Sequence, residues 1–340
     1  MDALNLIKEV TTALSFQSET AFSFSGNTTT IPDPETGESA HSTRKRLLDQ
    51  IQMQIYRQAF CRSFADTSPT ESSTDNTSDE NLIPILTAAN NSRGRWEKDW
   101  VVSRIELSGQ VLLEKDGRSR VLHLNDFATD GVVDSNLEPG NTTTLRLDAE
   151  SVTWQPGFFV AFGEHPAIDE SESRLVRFYW NVRSEGAPPL LSVLSERLNK
   201  FQIPYQLKCP AYSSGFHRSD SLVLYVDRRY YDISARLIGE LYHGVVASLD
   251  DTVPAFTKKL AQGLALAEDP GTGESFGASR CRILAEALLK CHRAGIDNEA
   301  VKIALVIQDY EAVGIDLRLP YLSPGSSDNY AWQPPEEGSQ

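Results

Sequence analysis

The feature that most constrains the fold is a succession of short apolar segments and longer amphipathic segments that begins at Arg174. The apolar segments RLVRFYWNV, IPYQLKC and SLVLYV are rich in aromatic and β-branched residues, which is typical of buried strands. Helical spacing of apolar residues follows over 187–201, 230–248, 254–267, 275–295 and 297–312. We therefore predict an α+β fold, in which helices pack on a mixed or antiparallel sheet in the C-terminal half.

The N-terminal half predicts a smaller region of helices and strands. Residues 2–16 and 43–65 have helical patterns, whereas residues 97–165 predict a small β region. Within that region, Asp116-Gly117 separates two alternating segments and predicts a hairpin turn. Residues 66–80 are polar and acidic and lack core residues, so we predict a flexible loop there.

The charge of the chain is unevenly distributed. The net charge is −15, which argues against nucleic acid as a main partner because binding to phosphate backbones needs a basic surface. Residues 174–236 nevertheless hold ten Lys or Arg against five Asp or Glu, a local excess of five positive charges. A basic segment in an acidic protein indicates an anion site or a partner surface.

The sequence lacks the motifs that are typical of several functional classes. No apolar run approaches the roughly 20 residues of a membrane-spanning helix, so we expect no membrane association. The four cysteines and six histidines are dispersed, so we predict no metal site and no cofactor. Scattered free thiols and the lack of a signal peptide fit a cytoplasmic protein.

Four residues in the basic segment are candidates for chemistry. Lys208 ends an apolar strand, where it either extends from a strand edge into solvent or lies in a pocket. Arg218 opens the next predicted strand, and a nearby cation would lower the pKa of the lysine and allow it to act as a base. Arg177 and Tyr179 alternate along the first strand and share one face, which is either a solvated sheet face or a cleft. Ser275 precedes the helix that contains Arg280, which is either an ordinary capped helix or one whose free backbone N–H groups bind an anion.

An ordered set of motifs resembles a known family. RFYWNV, YQLK, HRSDSLVLY, ESFGASRCR and LPYLSPGSSDNY occur in the order seen in the HopA-one type III effector family. The resemblance covers roughly residues 160–332 and extends to the stand-alone HopA-like proteins of class V lanthipeptide and thioamitide biosynthesis. It implies a HopA-like catalytic domain over 166–332, after an N-terminal region over 1–165 that can bind peptide. For residues 333–340 we predict a disordered tail.

The resemblance also implies roles for individual residues. The cluster proteins are thought to be lyases that remove phosphate from phosphoserine or phosphothreonine, and they are distantly similar to phosphothreonine lyase effectors. By that similarity Lys208 is the catalytic base, and the phosphate is bound by Arg177, Arg218 and Arg280. Tyr179 stands where the distant relatives have a histidine that acts as general acid, and His217 is an alternative proton donor. Supporting roles fall to Tyr225, Asp220 and Ser275.

Two functional hypotheses remain open at this stage. The first is a lyase that acts on a phosphorylated precursor peptide beside a separate peptide kinase, and that converts phosphorylated Ser or Thr into dehydroamino acids. The second is a non-catalytic module that binds a phosphopeptide or a protein, as an effector would. The same arginines serve both hypotheses, and only the first requires Lys208 to lose its proton.

Overall fold

The structure is a computed structural model that describes residues 2–32, 40–62, 79–115, 118–123, 137–165 and 174–332. The described helices are α1 (Ala3–Ala13), α2 (Ala40–Ile55), α3 (Ile83–Ala89), α4 (Ala187–Lys200), α5 (Tyr231–Val245), α6 (Phe276–Arg293) and α7 (Glu299–Ala312). A π-helical turn, Tyr56–Phe60, follows α2, and short 3-10 turns occupy Ser184–Gly186, Ser213–Phe216, Arg228–Tyr230 and Val246–Ser248.

The described strands form three antiparallel sheets. The first contains β1 (Leu14–Ser18), β2 (Ala21–Phe24) and β3 (Asn27–Thr30). The second has the order β6-β5-β4-β7 and contains β4 (Arg95–Ile105), β5 (Gln110–Lys115), β6 (Arg118–His123) and β7 (Thr142–Leu147). The large sheet has the order β13-β14-β10-β12-β11-β9-β8, with β8 (Glu150–Ser151), β9 (Phe158–Phe162), β10 (Leu175–Trp180), β11 (Tyr205–Pro210), β12 (Leu222–Asp227), β13 (Lys258–Ala261) and β14 (Leu264–Glu268). The predicted α+β class is confirmed, and the sheets are antiparallel.

Strand β10 lies in the interior of the large sheet, and its sequence is almost wholly apolar. Phe178 points to one face of the large sheet and stacks on Tyr231 at the start of α5, with ring centroids 5.9 Å apart. Tyr179 points to the other face and contacts Phe276 of α6 and Phe60 of the π-helical turn. Because helices cover both faces of the sheet, the residues on both sides of β10 are buried.

The N-terminal elements share the main core with the large sheet. Leu6, Ile51 and Phe60 belong to the same buried cluster as the residues of β10 and α6. The four-stranded sheet has its own small core, which includes Trp100 and Leu113. The predicted boundary after residue 165 falls just beyond β9, a strand of the large sheet.

The predicted helix over 254–267 is wrong, because the chain forms the β13–β14 hairpin there. Gly263 in the turn has a φ of +60°, and a Cβ at this position would lie 2.4 Å from the backbone oxygen of Asp250. Every residue of β14 is buried, since the strand lies between β13 and β10. A short apolar run that is buried on both faces shows no hydrophobic periodicity. Its sequence therefore does not distinguish a strand from a helix.

Two predicted helices are also shorter than expected. The predicted helix over 2–16 ends at Ala13, and the chain then forms β1, β2 and β3, with Ser25 and Gly26 at positive φ in the turn between β2 and β3. The predicted helix over 43–65 changes to a π-helical turn at Tyr56. The predicted hairpin turn at Asp116-Gly117, most of the predicted loop over 66–80, and the predicted tail over 333–340 lie outside the described residues.

Candidate active site

One face of the large sheet holds most of the predicted site residues. Strand pairing aligns Lys208 with Val223 and Val223 with Tyr179, which makes one cross-strand row. The next row aligns Gln206, Tyr225 and Arg177 in the same way. Because paired residues of adjacent strands point to the same side, Lys208, Tyr179, Tyr225 and Arg177 share this face.

Lys208 is partly buried at this face, and its ammonium group lies 4.0 Å from the centroid of the Phe158 ring. Among the described residues it has no hydrogen-bond or ion-pair partner. Burial lowers the pKa of Lys208 to about 8, with a further contribution from the positive charge of Arg218 that outweighs the opposite effect of Asp220. A lysine with this pKa is partly neutral near physiological pH and is able to accept a proton.

Arg218 lies in the loop before β12, not at the start of the strand as predicted, since β12 begins at Leu222. Its Nε and Nη2 donate to the two carboxylate oxygens of Asp220 at 2.5 and 2.8 Å. The guanidinium carbon lies 6.0 Å from the centroid of the Phe158 ring that also contacts Lys208. Lys208 and Arg218 therefore both lie beside the same Phe158 ring.

Asp220 is buried and ionised. Burial acts to raise its pKa, but the adjacent Arg218 guanidinium outweighs this effect and holds the pKa below its usual value. The same carboxylate raises the pKa of Arg218 against the effect of burial. The charges of this ion pair therefore persist across the physiological pH range.

The π-helical turn after α2 contributes two residues that sequence reasoning missed. Its wider backbone bond, from Cys61 N–H to the Tyr56 carbonyl at 2.9 Å, brings both residues to Arg218. The Tyr56 hydroxyl accepts from Arg218 Nη2 at 3.0 Å and donates to Asp220 at 3.3 Å, and the Cys61 sulfur lies 3.3 Å from the same nitrogen. Burial and the Asp220 carboxylate raise the pKa of the Tyr56 phenol and of the Cys61 thiol, so both groups keep their protons.

Arg177 is buried beside Tyr225 and Tyr179. It forms an ion pair with Asp269 at the end of β14, in which Nε donates at 2.9 Å, and its guanidinium carbon lies 5.1 Å from the Tyr225 ring centroid. Burial raises the pKa of Tyr179, and the nearby Arg177 only partly offsets this effect. Tyr179 is therefore protonated at neutral pH.

Arg280 is 1% exposed and is engaged with the C-terminal segment. Its Nε donates to the carbonyl of Pro320 and its Nη2 to the carbonyl of Leu322, each at 2.9 Å. Burial lowers the pKa of Arg280 to about 10. The guanidinium thus holds residues 320–322 against α6, and two of its five N–H donors are already bonded to backbone carbonyls.

Two other predicted site residues lie apart from this cluster. His217 is exposed in the loop beside Arg218. Ser275 is the exposed N-cap of α6, and its hydroxyl accepts from the Ala278 N–H at 3.2 Å. The structure therefore brings together Lys208, Arg218 and Asp220 with the residues of β10 and β12.

The matched family agrees with the motifs read from the sequence. A sequence model of the HopA1 effector protein family matches residues 149–322, which is more than half of the chain. The chain belongs to this family. The matched HopA1 region contains β8 to β14 and every predicted site residue, whereas Tyr56 and Cys61 lie before it.

Two solved structures are similar to this HopA1 family member. An effector protein from Pseudomonas syringae pv. tomato strain DC3000 is 17% identical, with a TM-score of 0.45, over 82% of this chain and 95% of that chain. An effector protein from Pseudomonas syringae pv. syringae strain 61 is 16% identical, with a TM-score of 0.41, over the same shares. No curated protein sequence matches the chain.

In the described part of the chain, no group of three or more His, Cys, Asp or Glu side chains is arranged to hold a metal ion. None of its helices is both long enough and apolar enough to cross a membrane.

Proposed function

We propose that the protein is a phosphoserine or phosphothreonine lyase that acts on a phosphorylated peptide. The observation that carries the proposal is Lys208, a partly buried lysine that pairs with no carboxylate among the described residues and whose pKa is lowered to about 8 beside Arg218. A lysine with a lowered pKa is neutral often enough to act as a base, whereas phosphate binding alone favours a lysine that stays charged.

The proposed reaction is a β-elimination. Neutral Lys208 takes the Cα proton, the Cα–H electron pair forms the Cα=Cβ bond, and the Cβ–O bond breaks with its electron pair passing to the phosphate. A phosphate dianion becomes a strongly basic trianion as it leaves carbon. Tyr179, which holds its proton, is a suitable donor to that oxygen, and exposed His217 is the alternative.

Arg218 and Arg177 would bind the phosphate and stabilise the charge that grows on it. Their ion pairs with Asp220 and Asp269 fix the two guanidinium groups in place before substrate binds. Arg280 would act indirectly, because it is bonded to the carbonyls of Pro320 and Leu322. None of these steps uses a metal or an organic cofactor, and none attaches phosphate, so a separate peptide kinase would supply the substrate in the cytoplasm.

A mass measurement tests the proposal. The protein is incubated with a peptide phosphorylated at Thr or Ser, and elimination should leave a product lighter than the unphosphorylated peptide by one water. The product should add a thiol, as a dehydroamino acid does. Recovery of the unmodified peptide mass would instead show hydrolysis and would contradict the lyase.

A second candidate is a non-catalytic module that binds phosphopeptides or proteins. The observation that favours it is the pair of arginines held rigidly by Asp220 and Asp269, since a preorganised arginine pair suffices for phosphate binding. Tight binding without a change in mass, and unaltered in Lys208→Ala, would favour this candidate.

A further inference from the structure

A groove lies beside the candidate active site, between the large sheet and the four-stranded sheet. Its volume is about 590 Å³, within the range of sites that bind small molecules or short peptide segments. Phe162, Gln206 and Tyr225 line it from the large sheet, and β6 and β7 line it from the four-stranded sheet. Among the described strands, both are at an edge of their sheet.

Strand register connects the groove to the site. Phe162, Gln206, Tyr225 and Arg177 form one cross-strand row, and the row of Lys208 is the next one along the strands. Alternate residues of a strand are about 7 Å apart. An extended peptide, which advances about 3.3 Å per residue, therefore reaches the groove two residues from a residue held at Lys208.

The outer wall of the groove is an aromatic surface. Trp154 is 52% exposed, and its ring centroid lies 5.0 Å from that of Phe162. The guanidinium carbon of Arg120 lies 4.8 Å from the Trp154 ring centroid. Trp and Arg are among the residue types that are enriched at the energetic hot spots of protein interfaces.

We infer that this groove binds the part of the phosphopeptide next to the phosphorylated residue, in an extended conformation. An apolar side chain two to four residues from the phosphorylated residue packs on Trp154 and Phe162, and the edges of β6 and β7 offer backbone groups to the peptide chain. This inference rests on the proposed function, because the phosphorylated residue fixes the distance to the groove.

The test uses the full chain carrying Lys208→Ala, so that the peptide is not consumed. The probes are fluorescein-labelled peptides with a central phosphothreonine in a Gly-Ser background. A single Phe occupies the second, third or fourth position on either side, and binding is followed by fluorescence anisotropy. We expect one Phe position to bind about tenfold more tightly than the parent peptide, the usual effect of filling an apolar pocket.

Adding Trp154→Ala should remove this gain, and Trp154→Tyr should restore most of it. Trp96→Ala is the matched control, because Trp96 is 47% exposed, lies near Arg146 and does not line the groove. Thermal melting shows whether each variant is folded. The inference is overturned if no Phe position binds more tightly, or if the gain persists in folded Trp154→Ala.

The same peptides separate this inference from the proposed function. With wild-type protein, phosphate elimination without any effect of Phe would contradict the groove and leave the lyase standing. A Phe-dependent gain in binding without elimination by wild-type protein would contradict the lyase and leave the groove standing.

Discussion

Lys208 and Tyr179 lie in the same cross-strand row of the large sheet, on either side of Val223. Adjacent strands are about 4.8 Å apart, so their Cα atoms are separated by about 10 Å. The candidate base and the candidate proton donor therefore flank one position from opposite sides. An elimination that removes a proton at Cα and protonates an oxygen on Cβ needs a base and a proton donor that both reach the substrate.

The first prediction concerns Lys208. We expect Lys208→Ala to lower kcat for phosphate elimination by about a thousandfold, within the usual contribution of a general base, while phosphopeptide binding is kept. Elimination is measured by mass and binding by fluorescence anisotropy. Lys200→Ala, at the exposed end of α4, is the control and should behave as wild type. Undiminished turnover in Lys208→Ala would remove Lys208 from the mechanism.

The second prediction concerns the buried carboxylate of Asp220. Asp220→Ala leaves Arg218 without its ion-pair partner, and loss of one member of a buried pair costs about 3 kcal/mol of folding free energy. Urea unfolding measures this cost. Tyr56→Phe removes a single hydroxyl from the same network and should cost less, about 1 kcal/mol.

The control for Asp220→Ala is the exposed ion pair between Asp316 and Arg318. Asp316→Ala should not change the urea midpoint measurably, because solvent screens exposed pairs. Equal shifts in the two variants would show that burial of Asp220 is not the cause of its effect.

Sequence reasoning predicted the sheet face of the site because strand alternation is a local property. Arg177 and Tyr179 are two residues apart on β10, and Lys208 and Tyr225 join them through the pairing of three consecutive strands. The helices α4, α5 and α6 were likewise predicted from apolar spacing and from their proline, glycine and cap positions. Strand alternation and helical spacing depend on neighbouring residues alone, whereas the pairing of the strands does not.

The partners of the site residues were not predictable in this way. Tyr56 reaches Arg218 from 162 positions away, and Asp269 reaches Arg177 from 92 positions away. Arg280 matched a phosphate-binding position by resemblance, but which groups it bonds depends on how the C-terminal segment packs on α6. Such contacts follow from tertiary packing, for which local spacing has no signal.

The third prediction separates a structural role of Arg280 from phosphate binding. Arg280→Lys cannot donate to both Pro320 and Leu322 in the planar geometry of the guanidinium group. We expect the amide of Ser323, which bonds to Glu268 at 2.8 Å, to exchange faster with deuterium. Amides of the β10–β12 pairing should exchange as in wild type.

Phosphopeptide affinity tests the opposite role, in which Arg280 binds the phosphate. If its side chain turns to the phosphate in the complex, Arg280→Lys should weaken phosphopeptide binding and leave the Ser323 amide protected. The unphosphorylated peptide is the control for binding that does not depend on the phosphate.

The last prediction is a pH profile with a defined sign. Lys208 acts as a base only when neutral, so kcat/KM should rise with pH and level off above a midpoint near 8, the lowered pKa of this lysine. An unperturbed lysine would place the midpoint near 10.4. Because the positive charge of Arg218 contributes to the lowered pKa, Arg218→Gln should move the midpoint to higher pH. Arg218→Lys keeps the charge and should leave the midpoint near that of wild type, whatever its effect on KM. A midpoint that does not differ between these two variants would show that the charge of Arg218 has no part in lowering the pKa of Lys208.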